Sequence, residues 1–336
     1  AGRAIQNPGS HHRSGGAYRK INVQREPVPV LQPPPVTETN LMNSVTDSKK
    51  TSADTEDPSL AQDKDWQWQR SGVEHGWSFW TAIWTSRDLF CLLALRDFQI
   101  RYRQSAVGVL WAVIQPLTSL AIFSLLFGLL GARPADDHVP YWLVVLAGLL
   151  PWQFFSFVVH QAVQSLVANQ HLITKVRFPR QLLPLSSVFT ASMDFGISSL
   201  PLLVGLVWYG TVAPRILLAP LFLMLIVVFT VALAFGLSAL NALYRDVSQV
   251  IPLAMQVMFY SSAVVYQLKV LVPESYRWLW SMNPLATGIE GFRWSLLGTE
   301  CPPVLSLLVS TGLSILMLSG GTRYFRHVER LLADRI

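Results

Sequence analysis

The sequence predicts an all-α integral membrane protein with six transmembrane helices, an N-terminal amphipathic interfacial helix, and outer re-entrant helices between spans five and six. The chain has 336 residues and is 51% hydrophobic but only 14% charged, whereas soluble domains are usually about 25% charged. Its charges are also segregated, because residues 106–322 hold only 16 charged residues in 217 positions. Apolar runs recur in this region, and each is long enough to cross about 30 Å of hydrocarbon.

Six apolar runs are predicted as membrane spans, at residues 106–131, 141–163, 185–209, 216–240, 250–268 and 304–319. An even number of spans places both termini on one side of the membrane. From residue 86 onward, the segments on that side hold twelve Lys and Arg residues, against five on the other side. The positive-inside rule therefore predicts that both termini are cytoplasmic. The same bias explains the net charge of +6 without a nucleic-acid partner, and no nucleic-acid-binding motif is present.

The chain divides into three predicted regions. Residues 1–65 form a disordered cytoplasmic tail, because they are rich in Pro, Ser, Thr and Asp and show no apolar period. Residues 66–104 form an interfacial helical segment, and residues 105–336 form the transmembrane domain. Trp77, Trp80 and Trp84 lie on one helical stripe, which indicates either an anchor at the membrane surface or ordinary packing.

The stretch from Arg96 to Pro116 joins a basic amphipathic half to the start of the first apolar run. An Arg at the centre of a membrane helix costs about 2.5–3.5 kcal/mol on insertion scales. We therefore expect Arg96, Arg101 and Arg103 to lie in the headgroup layer, with the apolar side of the helix toward the hydrocarbon. Because this helix continues into a span, a force on the helix should move the span.

Several separated motifs of this chain resemble permeases of bacterial ABC-2 type polysaccharide exporters. They are Arg96-Asp97, Arg101-Tyr102-Arg103, Ser105, Gly108, Leu110-Trp111, Pro116 and Tyr244-Arg245-Asp246. The resemblance runs from about Trp84 to Ile336. It implies a permease that exports O-antigen, capsule or teichoic acid chains, often lipid-linked, across the inner membrane. It also implies two copies of this chain with two ATP-binding subunits, no cofactor on this chain, and ATP with Mg on the partner.

The resemblance also implies which residues couple the permease to its ATPase. The loop at residues 169–184 corresponds to a family loop that contacts the ATPase, and a short helix with exposed apolar residues suits a cleft in a partner. A basic loop that merely follows the positive-inside rule is the alternative. The predicted coupling residues are Arg96, Asp97, Arg101, Tyr102, Arg103, Ile173, Arg177 and Phe178.

The segment 272–298 is too polar to be a span and too apolar to be a free loop. Two half-helices that enter from the outer face and turn back would fit it, provided that protein covers the irregular backbone. The family has such helices near the outer pore mouth. The resemblance implies a re-entrant outer gate at Asn283, Pro284, Glu290 and Arg293. Two helices lying flat on the outer leaflet are the alternative.

Aromatic residues of the second span are candidates for a substrate conduit, because sugar rings pack their C–H faces on aromatic rings. These residues are Tyr141, Trp142, Trp152, Phe154 and Phe155. An aromatic belt facing lipid is an equal alternative. Asp194 is a carboxylate within the third predicted span. It indicates either proton coupling or an interhelical hydrogen bond or neutral acid, and the second reading is favoured.

The sequence shows no motif for catalysis or metal binding. It contains no G-x-x-x-x-G-K-[ST] loop and no Gly-Lys dipeptide, so ATP hydrolysis is expected on a partner chain. No H-E-x-x-H motif or metal-binding Cys spacing occurs. Two alternative functions stay open, namely an ABC-2 exporter of small hydrophobic compounds and a membrane-embedded transferase acting on lipid-linked sugars. The absence of clustered carboxylates or His at one membrane face weakens the second alternative.

Overall fold

A computed structural model describes residues 81–334, apart from 82, 104, 106, 130–138, 176–177, 211–212 and 267–281. Within these residues the secondary structure is helical and contains no strand, which confirms the all-α prediction for this part of the chain. The predicted tail, the boundary at residue 65, Trp77 and Trp80 lie outside the described residues. Trp84 is 75% exposed, so this member of the predicted stripe does not pack into the domain.

Ten α-helices and two 3-10 helices make up the described part of the chain. The 3-10 helices are Gly108–Leu110 and Pro214–Leu218. The α-helices are α1 Arg87–Arg103, α2 Trp111–Leu129, α3 Tyr141–Ala168, α4 Gln170–Lys175, α5 Leu182–Ser198, α6 Leu200–Trp208, α7 Ala219–Leu243, α8 Val247–Ser261, α9 Pro284–Leu297 and α10 Val304–Asp334.

Five helical stretches among the described residues are long and apolar enough to cross a membrane. They are Gly108–Leu126, Tyr141–Ala168, Leu182–Trp208, Pro214–Leu243 and Val304–Leu331, and they coincide with five of the six predicted spans. The structure differs at the predicted span 250–268. There α8 has 15 residues, about 22 Å of helix, which is shorter than the hydrocarbon core of about 30 Å. The chain turns at residues 262–266.

The helix α3 is the centre of the bundle, and it packs against α2, α5, α7 and α9. Three apolar clusters follow its length. The first surrounds Leu143 and includes α6 and α9, the second surrounds Phe155, and the third surrounds Leu166 and includes α1, α5 and α10. The central position explains why α3 is the most buried of the five candidate spans.

The third candidate span is broken between α5 and α6. The Ser199 N–H still donates to the Phe195 carbonyl at 2.9 Å, and the Leu203 N–H donates to the Ser199 carbonyl at 2.9 Å. Between these bonds stands Pro201, which has no N–H to offer the carbonyl of Ile197. The interruption therefore coincides with the hydrogen bond that Pro201 cannot make.

Candidate functional site

The helix α1 lies against α5 through a narrow apolar contact. Leu93 and Ala94 are buried, and the ring of Phe90 meets that of Phe189 edge-on, with the centroids 6.0 Å apart. Polar side chains of α1 next to this apolar contact bind groups on α3 and α5.

The first polar contact, the Asp97 contact, joins α1 to both α3 and α5. The Arg96 guanidinium lies 2.8 Å from Asp97 Oδ1 and donates to Asn169 Oδ1 at 3.1 Å. Asp97 Oδ2 accepts a hydrogen bond from Ser186 Oγ at 2.8 Å. Asn169 is the C-cap of α3, and Ser186 lies in the first turns of α5, so this small group of side chains connects three helices.

The second polar contact, the Asp194 contact, lies further along the same two helices. The Tyr102 hydroxyl donates to Asp194 Oδ1 at 2.5 Å, and Arg101 Nη2 lies 3.4 Å from Asp194 Oδ2. The Arg101 guanidinium also stacks 4.1 Å from the ring centroid of Phe157 on α3. Of the two readings left open for Asp194, the interhelical hydrogen bond is present.

The Tyr102 hydroxyl remains a hydrogen-bond donor throughout the physiological pH range. Burial, together with the hydrogen bond to Asp194 and its negative charge, raises the pKa of Tyr102 from 10.0 to about 12. Because the folded-state pKa is raised, this contribution is complete below pH 10 and is lost only as the pH rises toward 12. Moderate changes of pH therefore do not remove the proton that Tyr102 donates in this contact.

These contacts add partners that the sequence did not predict for the arginines of α1. Arg96 and Arg101 pair within the chain, because each guanidinium reaches a carboxylate of its own fold, and their position in the headgroup layer stays a prediction. Arg103 is exposed and remains available to a surface or a partner. Apolar side chains also lie exposed on the outward side of α1, namely Leu92, Leu95 and Ile100.

The loop after α3 is less exposed than the sequence predicts. Ile173 and Phe178 are partly buried and pack against the cluster that contains Leu93 and Leu166. The chain's own core covers one side of each, so these two residues are less exposed than predicted, and their contact with an ATP-binding subunit stays a prediction. Arg177 lies outside the described residues. The exposed residues of α4 are Gln170, His171, Thr174 and Lys175.

Arg293 on α9 is 2% exposed and donates hydrogen bonds to four backbone carbonyls. Its Nε donates to Val144 on α3 at 3.1 Å. Its Nη1 donates to Ala263 at 2.8 Å and to Tyr266 at 2.9 Å, and its Nη2 donates to Val264. One guanidinium therefore connects α3, α9 and the turn at residues 262–266 that follows α8.

The 262–266 turn needs such a donor, since its carbonyls have left the helix and lie inside the protein. Ser262, Ala263 and Val264 are all fully buried, and an unpaired buried carbonyl costs about 1–3 kcal/mol. Ala263 also adopts a left-handed backbone conformation with φ 52°, which a non-glycine residue holds only when its surroundings fix it. Arg293 takes the place of the missing N–H groups.

Asn283 and Pro284 join the same assembly from the start of α9. Asn283 is the N-cap, and its side chain accepts from the Leu285 N–H at 3.0 Å and donates to Ser262 Oγ at 3.0 Å. Pro284 occupies the first turn, where a missing N–H has no cost. Glu290 lies one turn before Arg293 and interacts with its charge. The four predicted gate residues thus lie on one short helix, and Asn283 and Arg293 both hold the 262–266 turn.

The predicted conduit aromatics divide into two groups. Trp152, Phe154 and Phe155 are 8%, 5% and 0% exposed, so they belong to the core of the chain and the expectation that they line a conduit is wrong. The Phe155 ring stacks on Phe229 at 5.9 Å. The belt facing lipid is equally wrong for these three, because α3 is central. Tyr141 and Trp142 are partly exposed.

Gly148 leaves the space that Arg293 fills. A Cβ at this position would collide with the Arg293 guanidinium and the Val264 carbonyl. We expect Gly148→Ala to lower the free energy of unfolding by about 1–3 kcal/mol or more, because rigid neighbours cannot move apart. Thermal unfolding of the detergent-purified protein measures this. Gly236→Ala is the control, since a Cβ there meets nothing within 4 Å, and equal effects of the two substitutions would contradict the prediction.

Sequence reasoning did not single out Asn169, Ser186 or Gly148. Asn169 ends an apolar run and precedes a polar stretch, which is a helix-end signal. Gly148 interrupts a continuous apolar run, which indicates close approach of a neighbour. Ser186 carries no signal beyond its type, because nothing in its spacing indicates that it faces Asp97.

Comparison with known proteins identifies the family. Residues 88–297 match the family described as ABC-2 type transporter, which is more than half of the chain. This chain belongs to the ABC-2 type transporter family. The ABC-2 match begins in α1 and ends at the last residue of α9, so it contains the Asp97 contact, the Asp194 contact and Arg293. With its candidate spans, this ABC-2 protein is a multi-pass membrane protein.

Three relatives of this ABC-2 protein illustrate the similarity. "O-antigen export system permease protein RfbA" of Klebsiella pneumoniae is 29% identical over 251 residues, covering 74% of this chain and 94% of the relative. The protein of the same name from Myxococcus xanthus is 28% identical over 257 residues, covering 76% and 97%. "Polysialic acid transport protein KpsM" of Escherichia coli is 22% identical over 205 residues, covering 59% and 77%.

Proposed function

We propose that this chain is the membrane-spanning permease of an ABC transporter that exports a polysaccharide across the bacterial inner membrane. The observation that carries the proposal is the similarity to two proteins named O-antigen export permeases, which extends over 94% and 97% of their own lengths. A third relative is named for polysialic acid transport. A polysaccharide, lipid-linked or free, is the substrate class that these names share.

The proposed architecture has six crossings and both termini in the cytoplasm. The five candidate spans are completed by α8 together with the buried 262–266 turn, and the distribution of Lys and Arg supports cytoplasmic termini. Helix α9 is proposed as a re-entrant helix at the outer face. It has 14 residues, about 21 Å, which is shorter than the hydrocarbon core of about 30 Å, and most of its side chains are buried. The other half-helix of the predicted pair, before residue 282, lies outside the described residues.

The proposed assembly contains two copies of this chain and two separate ATP-binding subunits. The absence of a G-x-x-x-x-G-K-[ST] loop from the sequence supports ATP and Mg binding on the partner and none on this chain. The polymer would pass between the two copies, with Tyr141 and Trp142 as the remaining aromatic candidates for contact with it.

In this proposal the coupling residues act in two ways. Arg103 and the exposed side of α4 are available to contact an ATP-binding subunit. Arg96, Asp97, Arg101 and Tyr102 transmit movement inward, because they bind groups on α3 and α5. Asn283, Pro284, Glu290 and Arg293 hold the proposed gate at the other end of the bundle.

Deletion of the gene in its native host tests the function. We expect surface polysaccharide to disappear and the unexported polymer to accumulate inside the cell. A plasmid copy of the wild-type chain should restore export. The measurement is polymer extracted separately from the cell surface and from the cytoplasm. A deletion strain with normal surface polymer but raised sensitivity to small hydrophobic compounds would favour the other ABC-2 substrate class instead.

A further inference from the structure

We propose that α1, α5 and the half of α3 after Pro151 move as one unit, with hinges at Pro151 and Pro201. Asp194 is the positioning residue that fixes α1 to this unit. The inference rests on the proposed function, since it names the path by which force from an ATP-binding subunit would reach the membrane core.

Two separated polar contacts attach α1 to the proposed unit. On α5, Ser186 and Asp194 are eight residues apart, about 12 Å along the helix axis. A single contact would leave α1 free to pivot, whereas two contacts at this separation fix its direction. The buried Leu93 and Ala94 lie before both polar contacts on α1 and add a third point.

The second half of α3 belongs to the same unit. The Arg96 guanidinium binds the Asn169 side chain at the end of α3, and the Arg101 guanidinium stacks on Phe157. Arg101 therefore contacts α5 through Asp194 and α3 through an aromatic ring. The Asn169 side chain and the Phe157 ring are partly shielded from water. Their contacts with the two guanidinium groups are therefore stronger than pairs on an open surface.

The two prolines lie at the same level of the bundle. Phe154, three residues after Pro151, meets Phe195 on α5 with the ring centroids 6.2 Å apart. Trp142, nine residues before Pro151, meets Tyr209 just after α6 at 6.2 Å. Since the two segments run in opposite directions, Pro151 stands opposite residues 198–200, where the third span is broken.

The half of α3 before Pro151 packs against α6, the part of the third span after the interruption. Leu202 and Leu206 of α6 are buried in the cluster that contains Leu143 and Phe292. Gly205 allows the Trp142 ring to approach, because a Cβ at 205 would overlap that ring. The two prolines each remove one backbone hydrogen bond, so the helical hydrogen bonding of α3 and of the third span is incomplete at this level.

The hinge is tested with Pro151→Ala and Pro201→Ala, alone and combined, in the transporter assembled with its ATP-binding subunits. Each alanine restores an N–H that can complete the hydrogen bonding of its helix. We expect ATP hydrolysis to stay within about twofold of wild type while polymer export falls about fivefold or more in the double variant. Thermal stability should be unchanged or higher, so a loss of export is not a loss of fold. Pro220→Ala is the control, because Pro220 follows the 3-10 helix Pro214–Leu218 and lies outside the proposed unit.

The positioning role is tested with Asp194→Asn, which keeps the shape and removes the charge. We expect the same separation, with ATP hydrolysis retained and export reduced about fivefold or more. A purely structural residue would lower both rates together. Ser192→Ala is the control on the same helix, since the Ser192 hydroxyl is exposed and binds only the Val188 carbonyl of its own helix. Asp194→Asn with wild-type export would overturn the positioning role.

A distance measurement separates this inference from the proposed function. Spin labels at Leu92→Cys on α1 and Val204→Cys on α6, in a Cys91→Ser and Cys301→Ser background, are placed at exposed positions. We expect ATP to change the distance between them in the wild-type backbone and to leave it unchanged in the double alanine variant. A wild-type chain that exports no polymer overturns the proposed function alone. An equal distance change in the double variant overturns the hinge.

Discussion

Replacing Arg293 with methionine is expected to produce the largest loss of stability of any single substitution in the described part of the chain. The change removes the side-chain donor from the buried carbonyls of Ala263 and Val264, which have left the helix. Each buried, unsatisfied carbonyl costs about 1–3 kcal/mol, so a total of about 2–6 kcal/mol is expected. The measurement is the yield of monodisperse protein and its unfolding temperature in detergent.

Two further variants test the reason for that loss. Arg293→Lys keeps the charge but lacks the planar fork that reaches several acceptors, so we expect it to recover only part of the stability. Arg245→Met is the matched control, because Arg245 is exposed. Full stability of Arg293→Lys would show that charge, and not the number of hydrogen bonds, holds the 262–266 turn.

Replacing Arg101 with glutamate is expected to reduce export strongly while leaving membrane insertion normal. The change places a carboxylate beside Asp194, whose Oδ2 now lies 3.4 Å from a cation, and it removes the ring contact with Phe157. Repulsion between the two carboxylates should separate α1 from α5. We expect polymer export to fall about tenfold or more, measured in cells with a topology reporter on the C-terminus.

Arg103→Glu distinguishes pairing within the chain from attraction to lipid headgroups. Arg103 is exposed, so its replacement leaves the contact between α1 and α5 intact and should reduce export less than Arg101→Glu does. If headgroup attraction holds the helix, the two glutamates should be equally harmful. Arg101→Glu combined with Asp194→Lys reverses the pair and should recover part of the lost export, and no recovery would contradict the role of this pair.

The fold was predictable from sequence where hydrophobic length decides it. Five apolar runs became five candidate spans, because no soluble packing could hide so many long apolar helices. The extent of α8 was not predictable. The apolar run 250–268 continues past Ser261, but the helix ends there, and Arg293, some thirty residues later in the chain, supplies donors to the 262–266 turn. A hydropathy pattern carries no information about such a distant partner.

The candidate site was predictable in its residue types but not in their partners. Arg96, Asp97, Arg101 and Tyr102 were identified by their motif, but their partners were not, because Ser186 and Asp194 lie about ninety residues later in the chain. Aromatic side chains in α3 were assigned wrongly. In the sequence, Phe155 is an aromatic residue in an apolar run, as a conduit residue would be. Only the central position of α3 shows that Phe155 belongs to the core.

The bonds of Arg293 impose an order on the biogenesis of this protein. Every carbonyl that Arg293 binds precedes it in the chain, so during synthesis all four acceptors are already present when the guanidinium emerges. A nascent chain that has not reached residue 293 carries the 262–266 turn without its donor. The arginine itself could not remain in hydrocarbon alone. The polar turn and the arginine can therefore be shielded from lipid and water only once α9 is complete, and both are shielded in the same step.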